Sequence, residues 1–462
     1  MTQALLQQPV GLWATLAHAE AASIAREQPR FTLDIMITSI GKGFPSVMPS
    51  STPQLSFSEA LHIRAVRRLW FAQIISVFGD FLAVFAVFSV VTFELHGTPV
   101  QVSLILVAFL TPFAFVSPLA GVYVDKWNVK ATMIASDLIR GILVVSLLFV
   151  RDLYAIYVIF FALSTVSSFF VPAQSVAVRA LTPVEGLMAV NALMQQAVQA
   201  SQIIAPAIAG LLVQFVGANP CFLFDSLSFF FSAGMVATLA IYRAPAASSG
   251  AARTVLASLR EGFQFIFSHS AISFVMLSMA SGMFAVRCFG SLLSIYVRDI
   301  LNSTADVFGY LNSLIGIGMI VGSQFLPRLA RKISKPHLVI YGLSGMGFAV
   351  LVTALFGRVS TTAISMLTLG FSAAFIMIAA STLLQQETPP DLLGRVSASM
   401  MCIMAVAQVL AMFVAGPVAE RAGIRNLYFG SAAMLVTIAT VGLTTLRGQS
   451  GASGHAAATA AD

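Results

Sequence analysis

Apolar segments of about 20–27 residues recur from Leu69 onward, and they constrain the fold more than any other feature of the chain. Each is long enough to cross roughly 30 Å of bilayer hydrocarbon as an α-helix. Continuous runs such as LLFVRDLYAIYVIFFAL do not alternate as the strands of a membrane barrel do. Because lipid offers no water to the backbone, helices are the remaining solution. The predicted spans are Leu69–Phe93, Val100–Val124, Ala131–Val150, Leu153–Val178, Leu187–Val216, Pro220–Tyr242, Ala271–Val297, Val307–Phe325, His337–Phe356, Ser360–Leu384, Val396–Ala419 and Asn426–Leu446.

The composition agrees with a membrane protein and excludes several other classes. Charged residues make up 9% of the chain and apolar residues 58%, whereas soluble domains carry roughly 25% charged residues. The mean hydropathy is +0.91. A soluble globule, a disordered chain and a nucleic-acid-binding protein are therefore excluded. We predict an all-α integral membrane protein.

Basic residues are distributed unevenly between the two sets of loops. With a cytoplasmic N-terminus, the inner loops after residue 60 hold fifteen Lys or Arg residues and the outer loops hold five. Cytoplasmic loops of membrane proteins carry such an excess. We therefore predict that both termini are cytoplasmic, in a multi-pass protein of a bacterial inner membrane.

The second half of the chain repeats features of the first at a fixed distance of 206 residues. Corresponding pairs include Lys126 and Lys332, Gly141 and Gly347, Thr182-Pro183 and Thr388-Pro389, and Gly210 and Gly416. We interpret the chain as two pseudo-symmetric six-helix bundles, twelve transmembrane helices in all. Parallel repeats of this kind place a substrate path at their interface, near the midplane of the membrane.

The spans and the repeat divide the chain into five regions. Residues preceding the first span contain no apolar run of membrane-spanning length and no signal-peptide pattern. Between the bundles, the segment Arg253–His269 places its apolar residues on one helical face, which predicts an interfacial helix. The predicted regions are a poorly ordered cytoplasmic extension at 1–65, bundles at 66–242 and 270–446, a linker at 243–269, and a disordered tail at 447–462.

The segment GVYVDKWNVK resembles the cytoplasmic loop signature of the major facilitator superfamily, G-x-x-x-D-R-x-G-R-R/K. Gly121, Asp125 and Lys130 match the signature, and Lys126 replaces its arginine. The segments RRLWFAQIISVFGDFLAVFA and LQQETPPDLLGRVSA are similar to the branch that contains the enterobactin exporter and macrolide-efflux proteins. A lysophospholipid transporter is a relative in the same neighbourhood.

The resemblance implies the major facilitator fold and transport by alternating access, in which the halves rock about a central cavity. It also implies a gating role for Gly121, Asp125, Lys126, Lys130 and Arg179. In such folds Asp125 lies beside the start of the eleventh span and near the basic residue that ends the fourth, here Arg179. A carboxylate is stabilised at a helix N-terminus. We expect this contact to hold the inner gate shut in the outward-facing state.

Ionisable residues inside spans are costly unless they are paired or hydrated. Asp80 lies midway along the first span, and Arg287 lies one residue from its repeat counterpart in the seventh. We hypothesise that the two face the cavity at similar depth and pair, and that Asp80 exchanges a proton when the pair opens. The alternative is a static polar clamp, or a structural contact of Asp80. For Asp225, Asp137 and Arg140, packing or structural roles are favoured.

The fifth span carries a stripe of amides formed by Asn191, Gln195, Gln199 and Gln202, whose spacing puts them on one helical face. Four amides toward lipid would be unfavourable, so the stripe faces either a cavity or another helix. Asn312 in the eighth span and Gln408 in the eleventh are predicted to supply polar contacts from the second half.

No cofactor or metal is predicted. The three cysteines are far apart, the histidines lie at or beyond segment ends, and no P-loop, GxSxG or HExxH motif occurs within the spans. We predict a secondary transporter and not an enzyme, exporting a hydrophobic or amphiphilic molecule such as a drug or siderophore by proton antiport. Its partners are the small-molecule substrate, protons and the bilayer, with no nucleic acid, and it is expected to be a monomer. The alternatives are a lysophospholipid or metabolite carrier, an uptake symporter, and a membrane enzyme or receptor.

Overall fold

The computed structural model describes residues 55–459, except for residues 125, 242–250, 331–332 and 390–391. Every regular element in the described part is helical. The first half comprises α1 (Phe57–His62), α2 (Arg64–Ser89), α3 (Pro99–Val124), α4 (Val129–Ser146), α5 (Leu153–Leu181), α6 (Leu187–Phe215) and α7 (Asn219–Ala237). The second comprises α8 (Ala251–Ser268), α9 (Ser270–Asp299), α10 (Ala305–Leu329), α11 (Lys335–Leu355), α12 (Val359–Glu387), α13 (Leu393–Ala422) and α14 (Ile424–Thr459).

Within the described residues, eleven helices are long and apolar enough to cross a membrane. The remaining predicted span, Ala131–Val150, is the third in the chain and corresponds to α4, which has 18 residues and contains Lys130, Asp137 and Arg140. Its three charged residues distinguish it from the other spans, although it packs between neighbouring spans against α5 and α7. The prediction of an all-α membrane protein is confirmed.

The repeat found in the sequence is exact in the helix starts. Five pairs of corresponding helices begin 206 residues apart, at Arg64 and Ser270, Pro99 and Ala305, Val129 and Lys335, Leu153 and Val359, and Leu187 and Leu393. The packing repeats as well: α2·α6, α3·α5 and α4·α7 correspond to α9·α13, α10·α12 and α11·α14. The fold is therefore two pseudo-symmetric six-helix bundles, as predicted.

Short polar caps set where neighbouring helices begin. The side chain of Asn128 accepts a hydrogen bond from the amide of Ala131 at 3.1 Å, which starts α4. The carboxylate of Asp152 accepts one from the amide of Ala155 at 3.0 Å, which starts α5. Such caps satisfy amides that have no partner within the helix. They fix the connections that turn each apolar helix back across the bundle.

The bundles meet along two seams, α3 against α13 and α6 against α10. In the second seam the backbones approach closely. A Cβ added at Gly309 would lie 2.2 Å from the carbonyl oxygen of Pro206, and one added at Gly210 would lie 2.7 Å from that of Ala305. Small residues allow this approach between membrane helices. The seam is thus built on glycine contacts between the halves.

The regions outside the bundles differ in part from their predicted bounds. The predicted interfacial helix is α8, which packs against α13 through Gly262 and an ion pair between Glu261 and Arg395. Of the predicted N-terminal extension, residues 1–54 lie outside the described part, and α1 follows with a capping box between Ser56 and Glu59. At the other end, α14 continues to Thr459, whereas the predicted disordered tail begins at residue 447.

Candidate functional site

The whole interface between the two bundles is called the seam below. One end of it is closed by hydrogen bonds between the halves. Nη1 of Arg298 in α9 donates hydrogen bonds to the carbonyl oxygens of Thr92, at 2.7 Å, and Gly97, at 3.1 Å. The hydroxyl of Thr92 donates to that of Ser294 at 2.8 Å. Sequence reasoning missed these residues because two of the three acceptors are backbone atoms. We call this the closed end of the seam.

The local backbone explains why the carbonyl of Thr92 is free to accept. Here α2 widens into a π-helical turn, Val90–Glu94, and His96 then adopts the left-handed conformation with φ of 50°. A π turn hydrogen-bonds five residues apart and is frequent at functional positions. Arg298 lies in the last turn of α9 and also pairs with Asp299. A cation is favourable at a helix C-terminus.

Further contacts between the halves lie toward this closed end. They include the ring pair of Phe85 and Phe308, whose centres are 5.5 Å apart. A Cβ added to Gly121 or Gly394, at the opposite ends of α3 and α13, would meet no atom within 4 Å. The described contacts therefore close one end of the interface between the bundles.

All four side chains of the amide stripe on α6 are exposed, and none hydrogen-bonds to another described residue. The stripe comprises Asn191, Gln195, Gln199 and Gln202. The buried side of α6 instead packs toward α2, where Trp70 Nε1 donates to the carbonyl of Leu193 at 3.2 Å. Helix-to-helix hydrogen bonding, one of the two predicted alternatives for the stripe, is not seen in this conformation.

Two predicted site residues of the second half do meet. Arg287 Nε of α9 donates to Gln408 Oε1 of α13 at 2.9 Å. The other, Asn312, donates to the carbonyl of Phe308 in its own helix at 3.3 Å. The polar groups of the second half therefore comprise one inter-helical pair and one amide turned back on its helix.

The predicted pairing of Asp80 with Arg287 is wrong for this structure. Among the described residues no ion pair joins them, and Arg287 bonds to Gln408 instead. Asp80 lies inside the first bundle, next to the place where α2 crosses α7. A Cβ added at Gly79 would lie 2.6 Å from Asp225 Oδ1, so the two helices almost touch there. Asp80 and Arg287 lie at nearly equal depth in the two halves, but their side chains do not meet at the interface between the bundles.

Asp80 and Asp225 line the same small internal cavity, of about 20 Å³. A cavity of this size holds about one water molecule. The rest of the lining is mostly apolar and comes from α2 to α5, namely Ala83, Val84, Phe109, Val144, Leu147, Phe160, Leu163 and Ser167. This carboxylate cavity belongs to the first bundle alone and is separate from the seam.

An ion pair on α4 lies beside the carboxylate cavity. Arg140 pairs with Asp137, and both are almost fully buried. The guanidinium of Arg140 lies 4.2 Å from the ring centre of Phe170 and 4.3 Å from that of Phe229, favourable distances for a cation and an aromatic face. The charge of Arg140 also acts on Asp80 and on the Asp225 carboxylate. Three carboxylates thus share one cation.

The second bundle has no such charges at the corresponding positions. The residues 206 positions after Asp80, Asp137, Arg140 and Asp225 are Val286, Leu343, Met346 and Ser431. Leu343, Met346 and Ser431 are buried, with at most 5% of their surface exposed. The same helix crossings therefore pack without any charge in the second bundle.

The predicted gating motif is only partly described. Asp125 lies outside the described residues, so its contact with Arg179 remains a prediction. Lys126 and Arg179 are exposed, Gly121 and Lys130 are partly buried, and no hydrogen bond of their side chains occurs in the described part. The loop is held against α5 by the stacked rings of Trp127 and Phe169, whose centres are 5.6 Å apart.

Two six-helix bundles with a seam closed at one end define a membrane transporter rather than an enzyme. Residues 69–412 match the family model of the Major Facilitator Superfamily. The chain therefore belongs to that superfamily, and the resemblance seen in its loop signature is confirmed.

Two bacterial relatives show where the chain lies within the superfamily. It is 28% identical to the uncharacterized MFS-type transporter YfiS of Bacillus subtilis over 395 residues, covering 82% of this chain and 91% of that protein. It is 22% identical to macrolide efflux protein A of Streptococcus pyogenes over 380 residues, covering 81% and 94%. The predicted likeness to macrolide-efflux proteins is confirmed.

Solved structures with the same fold have little sequence in common with the chain. The nucleoside transporter NupG aligns with a TM-score of 0.64 at 14% identity, covering 83% of this chain and 99% of that one. A bacterial homolog of the lysosomal transporter Spinster, in an inward-facing and unoccupied conformation, aligns with a TM-score of 0.65 at 13% identity, covering 83% and 96%. These likenesses show the fold.

Proposed function

We propose that the protein exports a hydrophobic or amphiphilic small molecule across the bacterial inner membrane in exchange for protons, by alternating access, and that it works as a monomer. The observation that carries the transport path is the amide stripe of α6, exposed as four side chains on a membrane-spanning helix. Amides exposed to hydrocarbon would each lack a hydrogen-bond partner. A hydrated cleft between the bundles satisfies them and supplies donors and acceptors to a substrate.

The large apolar content of the spans fits a substrate with apolar surface. Ligand sites for such molecules combine mostly apolar walls with a few polar groups that fix orientation. The amide stripe on one side and the Arg287–Gln408 pair on the other supply such groups. The efflux activity named for macrolide efflux protein A, a relative over most of both chains, supports the direction of transport.

The cleft is closed at the end where α2 joins α3 and α9 joins α10. With both termini cytoplasmic, as the loop charges predict, this is the outer end. The structure then corresponds to an inward-facing carrier that is ready to take its substrate from the cytoplasm or the inner leaflet.

The buried carboxylates support proton coupling. Three carboxylates share one arginine inside the first bundle. The second bundle has the same architecture but no acidic residue at the corresponding positions. Excess buried negative charge favours the uptake of a proton. Asp80, which lines the cavity between α2 and α7, is the proposed coupling residue.

Transport in everted membrane vesicles tests this function. Vesicles with the protein are expected to accumulate a macrolide or another amphiphilic drug when a pH gradient is imposed, and to lose the accumulation when an uncoupler collapses it. Asp80→Asn is expected to abolish the response to the gradient, and Glu420→Gln, an exposed carboxylate at the end of α13, is the control.

Unchanged proton-driven uptake in Asp80→Asn would remove the coupling role. Uptake by the unsubstituted protein that does not depend on the pH gradient would show passive carriage instead of antiport. Movement of a fluorescent lysophospholipid between leaflets, without drug uptake, would assign the protein to lipid transport instead.

A further inference from the structure

The carboxylate cavity brings together two acids from helices that are far apart in the chain. Asp80 on α2 and Asp225 on α7 both line it. Asp225 is only 2% exposed, and its Oδ1 lies where α2 and α7 come closest, at Gly79. The two acids thus face one small cavity from neighbouring helices.

Asp225 is buried and Asp80 is partly buried, and neither acid has the hydrogen bonds that usually satisfy a carboxylate removed from bulk water. The one bond to a side-chain oxygen of Asp225 comes from the hydroxyl of Ser228 on its own helix, at the long distance of 3.5 Å. Oδ2 of Asp225 and both oxygens of Asp80 have no hydrogen-bond partner among the described residues. Buried carboxylates without partners are strongly unfavourable when charged.

The charged groups around the cavity leave the two acids without a counter-charge of their own. From α4, Arg140 is already paired with Asp137. From α7, the thiol of Cys221 is the other titratable group near Asp225. The residues of α3 and α5 that line the cavity, Phe109, Phe160, Leu163 and Ser167, carry no charge. Two neighbouring carboxylates therefore remain against one arginine that is shared.

One proton satisfies this arrangement. When bound to either carboxyl group, it removes one negative charge and provides an O–H donor to the other carboxylate. Two acids that face one small cavity beside a single shared cation do not both ionise readily, and they take up protons as a pair. A metal cation fits less well, because Arg140 repels it and because hard cations require six or more oxygen ligands.

Packing alone does not explain the acids. The second bundle repeats the crossing of α2 and α7 as that of α9 and α14, with Val286 and Ser431 in the corresponding positions. The crossing forms there without a carboxylate. Sequence reasoning favours a packing or capping role for Asp225, but the amides of the first turn of α7 lie a turn away from it, and its carboxylate lines a cavity.

We propose that Asp80 and Asp225 together form one proton-binding site inside the first bundle, apart from the substrate cleft, with the Arg140–Asp137 pair as its fixed charged neighbour. This inference rests on the proposed function in so far as the site serves proton coupling. It assigns to Asp225 a direct part in binding the proton. It also separates the place where the proton binds from the amide stripe where the substrate binds.

Infrared difference spectroscopy between acidic and alkaline pH tests the site on the purified full-length protein, without substrate or transport. A buried carboxylic acid gives a C=O band that shifts in D₂O. The unsubstituted protein is expected to show this band, and both Asp80→Asn and Asp225→Asn are expected to lose it, because each variant removes one half of the pair. Glu420→Gln is expected to keep it.

Several outcomes would overturn the inference. These are a band that persists in Asp225→Asn, the absence of a band in the unsubstituted protein, and a band removed by Na⁺ but not by choline, which would indicate a metal-cation site. Should Asp225→Asn fail to fold, Asp225→Glu replaces it and is expected to keep the band at a shifted frequency, whereas an unshifted band would count against the site.

The two proposals fail separately. A titrating band that depends on both acids, in a protein that moves no drug against a pH gradient, removes the proposed export and keeps the proton site. Proton-driven export with a band indifferent to Asp225 keeps the export and removes the paired site.

Discussion

Arg298 of the second bundle donates a hydrogen bond of 2.7 Å to the carbonyl oxygen of Thr92 in the first. The acceptor is a backbone atom, so any residue at position 92 preserves it. The bond therefore depends on the guanidinium alone. Because it spans the two halves, it must break whenever the closed end of the seam opens.

Replacing Arg298 with alanine is expected to favour the state in which the closed end is open. A hydrogen bond to a charged group contributes about 1.5–3 kcal/mol, which corresponds to roughly a tenfold change in the balance of states or more. A cysteine at Ser103, buried at this end of the α3–α13 seam beside Gly416, reports the opening. Its reaction with a membrane-impermeant maleimide is expected to accelerate about tenfold in Arg298→Ala.

The labelling is measured in a protein whose native cysteines, Cys221, Cys288 and Cys402, have been replaced. The control is Arg421→Ala, which removes an exposed positive charge from the end of α13. Equal rates in the two variants would show that the bonds of Arg298 do not hold the seam.

Glycines inside the second bundle are expected to matter for stability. A Cβ at Gly370 of α12 would lie 1.9 Å from the carbonyl oxygen of Ile315 in α10, so Gly370→Ala forces the helices apart. Overpacking of this kind costs about 1–3 kcal/mol. We expect a lower midpoint of thermal unfolding in detergent.

The matched variant is Gly290→Ala in α9, where an added Cβ meets no atom within 4 Å. Alanine favours a helix by about 1 kcal/mol over glycine, so this midpoint is expected to stay the same or rise. Similar losses in both variants would contradict the packing described here.

The amide stripe is expected to set the affinity for the transported molecule. Gln195→Leu removes hydrogen-bonding groups from the stripe and leaves the size of the side chain nearly unchanged. A hydrogen bond contributes about 0.5–1.5 kcal/mol, so the apparent KM for transport is expected to rise roughly 2–10-fold. The measurement is uptake into everted vesicles over a range of drug concentrations.

Gln196→Leu is the control for the stripe, because Gln196 is exposed but lies about 100° away around the helix from Gln195. An unchanged KM in Gln195→Leu, or an equal rise in Gln196→Leu, would remove the stripe from the substrate path.

The bond between Arg287 and Gln408 is expected to behave as a coupled pair. Gln408→Leu leaves the Nε hydrogen of Arg287 without the partner it has at 2.9 Å. Because this donor is only partly buried, its loss of a partner is expected to cost about 1 kcal/mol, at the lower end of the range for an unsatisfied group. We expect the double variant Arg287→Met/Gln408→Leu to recover part of the loss in a thermal-unfolding cycle. Additive effects of the two substitutions would mean that the pair contributes no coupling.

The architecture followed from the sequence because lipid leaves few choices. Apolar length located the spans, and a spacing of 206 residues located the repeat, which the helix starts reproduce. The predicted bounds differ from the observed ones mainly at helix ends, where local caps such as Asn128 decide. The helix α4 is charged and short, but apolar length still predicted it as the span Ala131–Val150, and its start repeats in that of α11.

The candidate site was harder to predict, since depth along a helix does not determine the direction of a side chain. Asp80 and Arg287 lie at nearly equivalent depths, but the contact of Gly79 with α7 places Asp80 within the first bundle. A signal was present in the sequence: Asp80, Asp137 and Asp225 have no acidic counterpart 206 residues later. Arg298 left no such signal, because its acceptors are backbone carbonyls exposed by a π turn.

The confinement of the buried acids to one bundle has an evolutionary consequence. Under the proposed function, substitutions on the inner surface of the second bundle can change which compound is transported without altering the proposed proton site. Changes in α9, α10, α12 and α13 are then free to reshape what is recognised. The first bundle is expected to tolerate little change around α2, α4 and α7, because the second bundle has no acidic residue at the positions that correspond to Asp80, Asp137 and Asp225.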